Sequence, residues 1–551
     1  MKIVHPFTII LLSAGIINAC TFRPPESAIR DEKPNILWIT CEDMSPHLGC
    51  YGDEVAHTPV IDQLASEGIR FTHAFSVSGV CAPSRAALIT GLYPTSFGAM
   101  HMRTLKRTSA LEQITDPELL AIPTYEAVPP AEASCFTEYL REAGYYCTNN
   151  HKTDYQFRNP ITAWDESSRS AHWRNREEGQ PFFAVFNIVA SHESQIWKRE
   201  GDPSFTDLEE VNVPPYYPDT PVVRKDLARM YDNIRLVDQR VGELLAQLEE
   251  DGLTGETIVF FFSDHGDGTP RAKRWLYDSG IRVPLIVRFP DGSGAGTVTN
   301  RLVSFVDFAP TVLSLAQVRI PGYMHGKAFL GRDAAKPRDY VYGARDRMDP
   351  ATDMQRFVRD KRYKYIKNYE PWKPYVQWIP YRDQMDLMQE LYRVRDAGGL
   401  DSIQQLWFRE TKPEEELYDV KNDPHEIHNL AGEPDYTNKL TELRSAHEWW
   451  VETYGDLGHL PEPELIRQLW PPDGEQPVTQ PVEVRIENDT LSLHSSTLGA
   501  SVAYQLPSDT AAGEDHWRLY HEPIEWSDQQ SLRATAIRIG FRQSDTTYVD
   551  W

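Results

Sequence analysis

Residues 35–41, NILWITC, are apolar or β-branched almost without a break, and two acids, Glu42 and Asp43, follow at once. A strand buried on both faces reads this way, and such strands belong to parallel sheets covered by helices on each side. Residues 59–67, PVIDQLASE, then take helical spacing, with Pro59 in the first turn and Gly68 closing it. Apolar runs at 182–189 and 257–262, separated by a helical stretch at 225–251, repeat the alternation. The pattern predicts an α/β fold with a large, mixed, mostly parallel central sheet flanked by helices. Ligands of such sheets sit at the carboxyl ends of the strands. Two polar pairs fall there: Glu42-Asp43 after the first run and Asp264-His265 after the run at 257–262.

A chain of 551 residues exceeds one ordinary domain. The α/β domain is assigned to 33–335 and a smaller antiparallel subdomain to 336–470. Within the latter, 359–369 (RDKRYKYIKNY) alternates aromatic and basic residues, as an exposed strand would. A Pro-, Asp- and Gly-rich linker at 471–480 leads to short strands with turn signals at 482–486, 490–493, 501–506 and 534–539. These predict a terminal small β-sandwich module over 481–551.

The first nineteen residues read as a signal peptide: Lys2, then an apolar run at 7–17 too short to span a bilayer. Ile17-Asn18-Ala19-Cys20 resembles a bacterial lipobox, which makes Cys20 a lipidation site; plain cleavage after Ala19 is the alternative. Either way the chain is exported, to the periplasm or the cell surface, and a lipid anchor in the outer membrane is its one expected membrane contact. The formal net charge of −25 repels nucleic acid and anionic membranes, so neither is an expected partner. Any site for an anion must be a local basic pocket. Six cysteines are present and no C-x-x-C pair, which argues against a cysteine-built zinc site. With Cys20 and Cys81 set aside, Cys41, Cys50, Cys135 and Cys147 allow three disulfide pairings, among which the sequence does not choose.

The sharpest motif is Cys81-Ala82-Pro83-Ser84-Arg85, followed by AALITGLYPT. In these residues the chain resembles the sulfatase family, whose signature is C-x-P-S-R with a nearby T-G. The resemblance runs along most of 34–430. It implies that a maturase oxidises Cys81 to Cα-formylglycine, whose hydrate attacks sulfur with one oxygen and expels sulfate by collapse of the other. It also implies one divalent cation, Ca²⁺, held by hard oxygen ligands at Glu42, Asp43 and Asp264, together with His265 and residue 81. Glu42 stands where two Asp are more common in the family.

Sulfate oxygens need cationic donors while sulfur is attacked. The family pattern supplies Arg85, Lys152 in NNHKTDY and Lys273 in AKRWLYDSGIRVP. Asp154 falls where the histidine of the family's K-x-H would be, so either His151 substitutes or that contact is lost. His192 in FNIVASHES resembles the family's general acid, and its ordinary pKa near 6.5 suits proton donation to a sugar alkoxide. His101, Arg103, His151 and the cluster Arg271-Lys273-Arg274 are candidate contacts to an acidic sugar. The aromatics of 363–378 could stack on pyranose rings, with core packing as the slightly favoured alternative. The stretch LHSSTLGASVAYQL and its sequel resemble the small C-terminal β-sandwich of chitobiases and β-hexosaminidases.

ILWITCEDMSP, NNHKTDY and AKRWLYDSG resemble a bacterial sulfatase branch related to heparan N-sulfatases and including ulvan-active enzymes. The expectation is hydrolysis of sulfate esters on an extracellular polysaccharide or its oligosaccharides. A sulfated algal polysaccharide of the ulvan type is favoured on the acidic composition, with a glycosaminoglycan as the other candidate. The alternatives are a phosphodiesterase or phosphonate monoester hydrolase of the same superfamily, a heparan N-sulfatase-like sulfamidase, and a non-catalytic glycan-binding lipoprotein.

Overall fold

The computed structural model describes residues 33–102, 104, 115–510, 516–527 and 531–550. The expected signal segment 1–19, Cys20 and Arg103 lie outside the described residues. The main sheet has eight strands: β1 Asn35–Cys41, β2 Ile69–Phe75, β3 Tyr146–Asn150, β4 Glu166–Ser167, β5 Phe182–Ile188, β6 Thr257–Ser263, β7 Arg282–Arg288 and β8 Thr297–Ser304. Their spatial order is β4-β3-β5-β1-β6-β7-β2-β8. All neighbouring pairs are parallel except the two made by β7, which is antiparallel to both β6 and β2. The sheet is therefore mixed and mostly parallel. Strand β1 is fully buried between β5 and β6, with Ile36 level with Phe183 on one side and Ile258 on the other.

One face of the sheet packs on the 30-residue helix Pro221–Glu250. Thr220 caps it by accepting a hydrogen bond from the Val223 amide, and Pro221 fits the first turn, where no amide donor is needed. Leu227, Ile234, Val237, Val241, Leu244 and Leu248 form its buried stripe, at the spacing an amphipathic helix requires. The other face covers the helix Cys81–Thr90, all ten of whose residues are buried, closed by Gly91 in the left-handed region at φ 71°.

A second, four-stranded antiparallel sheet follows, ordered β12-β11-β10-β9: β9 Val341–Arg345, β10 Gln355–Arg359, β11 Tyr363–Asn368 and β12 Glu415–Asp419. The segment read from sequence as one exposed strand over 359–369 is instead the end of β10, a turn, and β11. Most of β11 is buried, because Lys364 is neutralised by Asp278 and Glu426 rather than by water. The aromatics of 363–378 divide: Tyr365 and Tyr375 are core, whereas Trp372 and Trp378 face solvent. Near the C-terminus two small antiparallel sheets, one containing Val482–Glu487 and Thr490–Ser495, the other Ser501–Gln505 and Ser531–Ile537, share a core of Val482, Leu491, Leu493, Val502, Leu532 and Trp526. The five described cysteines, Cys41, Cys50, Cys81, Cys135 and Cys147, are all free.

Candidate active site

Strands β1, β3, β5 and β6 run parallel, so their carboxyl ends open on one rim, and each contributes to it. Glu42 and Asp43 follow β1, Lys152 follows β3, His192 and Glu193 follow β5, and Asp264 and His265 follow β6. Cys81 arrives from behind, at the first turn of the buried helix. The residue before it, Val80, provides no side-chain cap, so the amides of this helix end remain available and its dipole favours negative charge beside Cys81.

Cys81 Sγ lies 3.4 Å from His265 Nε2, and the same nitrogen lies 3.0 Å from Asp43 Oδ1 and 3.7 Å from Asp264 Oδ1. Arg85, one helical turn from Cys81, sends Nε 3.1 Å to Asp264 Oδ2 and Nη1 2.6 Å to Asn187 Oδ1. Lys152 Nζ lies 2.8 Å from Glu42 Oε2. Lys273 Nζ bridges Asp43 Oδ2 at 2.5 Å and Glu193 Oε1 at 3.1 Å. Arg274 makes a two-pronged ion pair with Glu193, both contacts 2.8 Å.

The charges perturb one another in the expected directions. Burial alone would depress His265, but Asp264 and Asp43 outweigh it and hold it near 10. Burial would raise Asp43, yet Lys273, His192 and His265 keep it well below the usual carboxylate range. Lys152 and Lys273 are pushed above their ordinary values by the carboxylates and thiol around them, against the effect of burial. His192 is lowered, by burial and then by Lys273. Its Nδ1 is paired with Ser194, whose backbone amide lies at 3.2 Å and whose hydroxyl, at 2.9 Å, can accept from Nδ1–H when the ring is charged, leaving Nε2 directed 3.9 Å from Glu42 Oε2.

Among the described residues two clusters have the ligand set for a cation: Asp43, Cys81, Asp264 and His265, and Glu42, Asp43, Cys81 and His192, each with ligand atoms within 4.8 Å of one another. Glu42 Oε1 is buried and accepts no hydrogen bond, and the one donor near the buried Asp43 Oδ1 is His265 Nε2, itself a candidate ligand, at 3.0 Å. Buried carboxylate oxygens without donors are costly unless a cation satisfies them, so these residues fit a divalent metal.

Backbone strain gathers at the same place. Asp43, Arg271 and Arg274 have φ of 51°, 64° and 74°. Such residues cost roughly 1–3 kcal/mol each and persist only where the surroundings over-determine them. At Arg274 the amide donates to Gly79 O at 2.7 Å and the carbonyl accepts from Arg345 Nε at 2.7 Å. Gly79 is required there, because a Cβ would stand 2.4 Å from Trp275 O.

The structure brings Glu42, Asp43, Cys81, Arg85, Lys152, His192, Asp264, His265, Lys273 and Arg274 into one cluster. Arg271 is directed elsewhere: its guanidinium lies over the rings of Tyr216 and Tyr277 and donates to the carbonyls of His425 and Glu426. His101 is buried, accepts from the Arg347 amide and is lowered to about 4, so it is neutral. His151 is exposed and pairs with Arg169 Nε at 3.3 Å. Two contributors went unread in the sequence. Glu193, beside His192, clamps Lys273 and Arg274; Asn187, the one amide in the apolar run FFAVFNI, receives Arg85 and donates to Asn149 at 3.0 Å. A polar residue near the end of a buried strand was the available signal for Asn187.

The sulfatase family profile matches residues 34–318, and that of the N-sulphoglucosamine sulphohydrolase C-terminal region matches 271–405. The chain is 45% identical over 548 residues to an ulvan-active sulfatase of Formosa agariphila, covering 93% of this chain and 90% of that protein. It is 25% identical over 499 residues to N-sulphoglucosamine sulphohydrolase of Homo sapiens, covering 83% and 96% respectively. A structure solved in complex with its substrate D-glucosamine-2-N,6-O-disulfate superimposes with a TM-score of 0.55 at 19% identity, over 78% of this chain and 100% of that one. Phosphonate monoester hydrolase of Agrobacterium radiobacter gives 0.52 at 17%, over 78% and 97%, which places it in the same fold. With the signature cysteine at the strand-end rim, the fold shared and the family profile matched, the chain belongs to the sulfatase family and is a sulfuric ester hydrolase.

Proposed function

We propose that the chain removes sulfate from a sulfated polysaccharide of the ulvan type, or from its oligosaccharides, with Cys81 as the catalytic position. The carrying observation is Cys81 at an uncapped helix end, ringed by Arg85, Lys152, His192 and Lys273. Likeness to an ulvan-active sulfatase over nearly the whole chain supports the substrate.

Oxidised by a maturase to formylglycine, residue 81 supplies an aldehyde whose hydrate is the nucleophile. A divalent cation, Ca²⁺ by its hard oxygen ligands, supplies positive charge beside it when held by Asp43, Asp264, His265 and Glu42. Lys152, Lys273 and Arg85 hold the negative charge of the sulfate oxygens in a buried site, where such charges act strongly. Glu193 fixes Lys273 by taking it between two carboxylates. His192 donates the proton from Nε2 to the departing sugar oxygen, since Ser194 occupies Nδ1. A bound sulfate ester, itself negative, offsets the Lys273 field and favours the charged imidazole that this step needs.

The match to the N-sulphoglucosamine sulphohydrolase C-terminal region favours a second reading, cleavage of N-sulfate. Mass spectrometry of ulvan oligosaccharides and N-sulfated glucosamine saccharides, each incubated with the enzyme, separates the two. Sulfate loss confined to the ulvan series is the expected result; loss confined to the N-sulfated series overturns it. We also place the mature protein outside the cytoplasm, lipidated at Cys20. Cys20→Ala should move it from the membrane to the soluble fraction, and an unchanged distribution removes the anchor.

A further inference from the structure

We propose that a pocket beyond the far end of the Cys81–Thr90 helix is a second, non-catalytic site for a sulfated sugar unit of the polymer. The inference rests on the polysaccharide reading of the substrate. The pocket encloses about 420 Å³, within the size range of small-ligand sites. It is lined by Tyr93, just past the helix's C-terminal Gly91, whereas Cys81 is at its first turn. Ten residues at 1.5 Å each separate the two by about 15 Å along the helix. No residue of the catalytic cluster lines it.

Its chemistry suits an anionic saccharide. The indole of Trp449 is 51% exposed and joins Tyr342 and Tyr454 at centroid distances of 6.2 and 5.9 Å, an aromatic wall on which the apolar face of a pyranose can lie. Lys327 and Lys336 line the same cavity, both exposed, and among the described residues neither ammonium has an ion pair or hydrogen-bond partner. The third cation there, Arg338, is taken by Asp307, and the one carboxylate lining the cavity is Asp339. Two free ammonium groups flank the aromatic wall, and on a molecule of net charge −25 an anionic polymer is held only where positive charge is concentrated.

The site is also built. The backbone amide of Lys327 donates to Asp307 Oδ1 at 2.9 Å, and Gly326 before it lies so close to the chain that a Cβ would meet Val306 O at 1.7 Å. Lys327 therefore leaves a fixed stretch of backbone. The aromatic wall stands on the helix Thr437–Tyr454 and on β9, two packed elements.

The test is affinity electrophoresis of the full chain through native gels containing ulvan, chemically desulfated ulvan, or no polymer. Cys81→Ala prevents turnover during the run. The parent should be retarded by ulvan and not by its desulfated form. Adding Trp449→Ala and Lys336→Ser should weaken retention about three- to tenfold, the loss expected for one stacking contact and one charge. With Cys81 intact, the same two substitutions should raise KM on the polymer similarly while kcat/KM on a short sulfated oligosaccharide stays unchanged. Lys327→Ser/Lys336→Ser, which spares the packing of Trp449, serves if the first variant does not fold. Retention unchanged by either variant, equal retention by desulfated ulvan, or a parent not retained overturns the proposal. Sulfate release from ulvan by the unmutated enzyme is measured separately, so failure of the substrate reading appears as no release, whatever the gels show.

Discussion

Cys81 sits in the first turn of a helix with no solvent-facing residue, and its side-chain partner, His265 Nε2 at 3.4 Å, keeps Asp43 Oδ1 at 3.0 Å without it. Cys81→Ala should therefore abolish turnover while the thermal midpoint stays within the small range typical of neutral substitutions. A tryptic peptide containing the oxidised residue should be about 18 Da lighter than its thiol form; a fully active preparation showing only the thiol removes the modification from the mechanism. His192→Ala should lower kcat on a carbohydrate sulfate by about 10²–10⁴-fold, and far less on an activated aryl sulfate whose leaving group needs no proton. Equal losses on both would reassign His192 to holding sulfate. At this scale the motif-bearing residues were legible, because Cys81, Arg85 and Lys273 each sit in a short recognisable string. Glu193 and Asn187 were not, since what gives them meaning is a partner 81 and 102 residues away in the chain. Asp154 left two readings open, His151 as a substitute for the family's histidine or loss of that contact; in the structure His151 turns to Arg169.

The loops after β1 and β6 are tied together by a group outside the catalytic cluster. His47 lies 2.8 Å from Asp53 and 2.9 Å from Asp267, and the Tyr231 hydroxyl donates to Asp53 at 2.8 Å. Asp267, then Asp53, raise His47 to about 10 against the effect of burial. A raised folded value means that the charged form stabilises the fold. That contribution is whole below the ordinary histidine value of about 6.5 and fades as pH climbs through about 10. His47→Gln should thus lower the unfolding midpoint clearly at pH 6 and little at pH 10; an equal loss at both would assign the effect to packing. Strands were the most legible elements, for burial on both faces leaves an unbroken apolar string such as NILWITC or TIVFFFS. Their direction was not legible: the middle of β7, VPLIV, is as apolar as the parallel strands of the sheet, and only its pairing with β6 and β2 shows it antiparallel. The strand expected to be exposed at 359–369 failed for a related reason, as buried ion pairs let a basic string lie inside.

Across the whole molecule, metal and fold are linked by mass action. A cation bound by the native cluster and not by the unfolded chain adds about 2.7 kcal/mol at a free concentration one hundred times Kd. Exhaustive chelation should lower activity and the unfolding midpoint together, and refilling with Ca²⁺ should restore both; activity retained with no metal found by elemental analysis removes the site. The central position of β1 has a further consequence, for biosynthesis. Its partners begin at Phe182 and Thr257, so the earliest strand of the sheet to leave the ribosome is completed by one made more than two hundred residues later. At ~5–20 residues per second the interval is on the order of ten to forty seconds. Until Ile188 has emerged NILWITC has two bare edges, and after that one; it carries no charge, the composition of a segment that pairs with any strand it meets. The strand that leads into the reaction rim is thus also an aggregation hazard of the nascent chain until Ser263 has emerged.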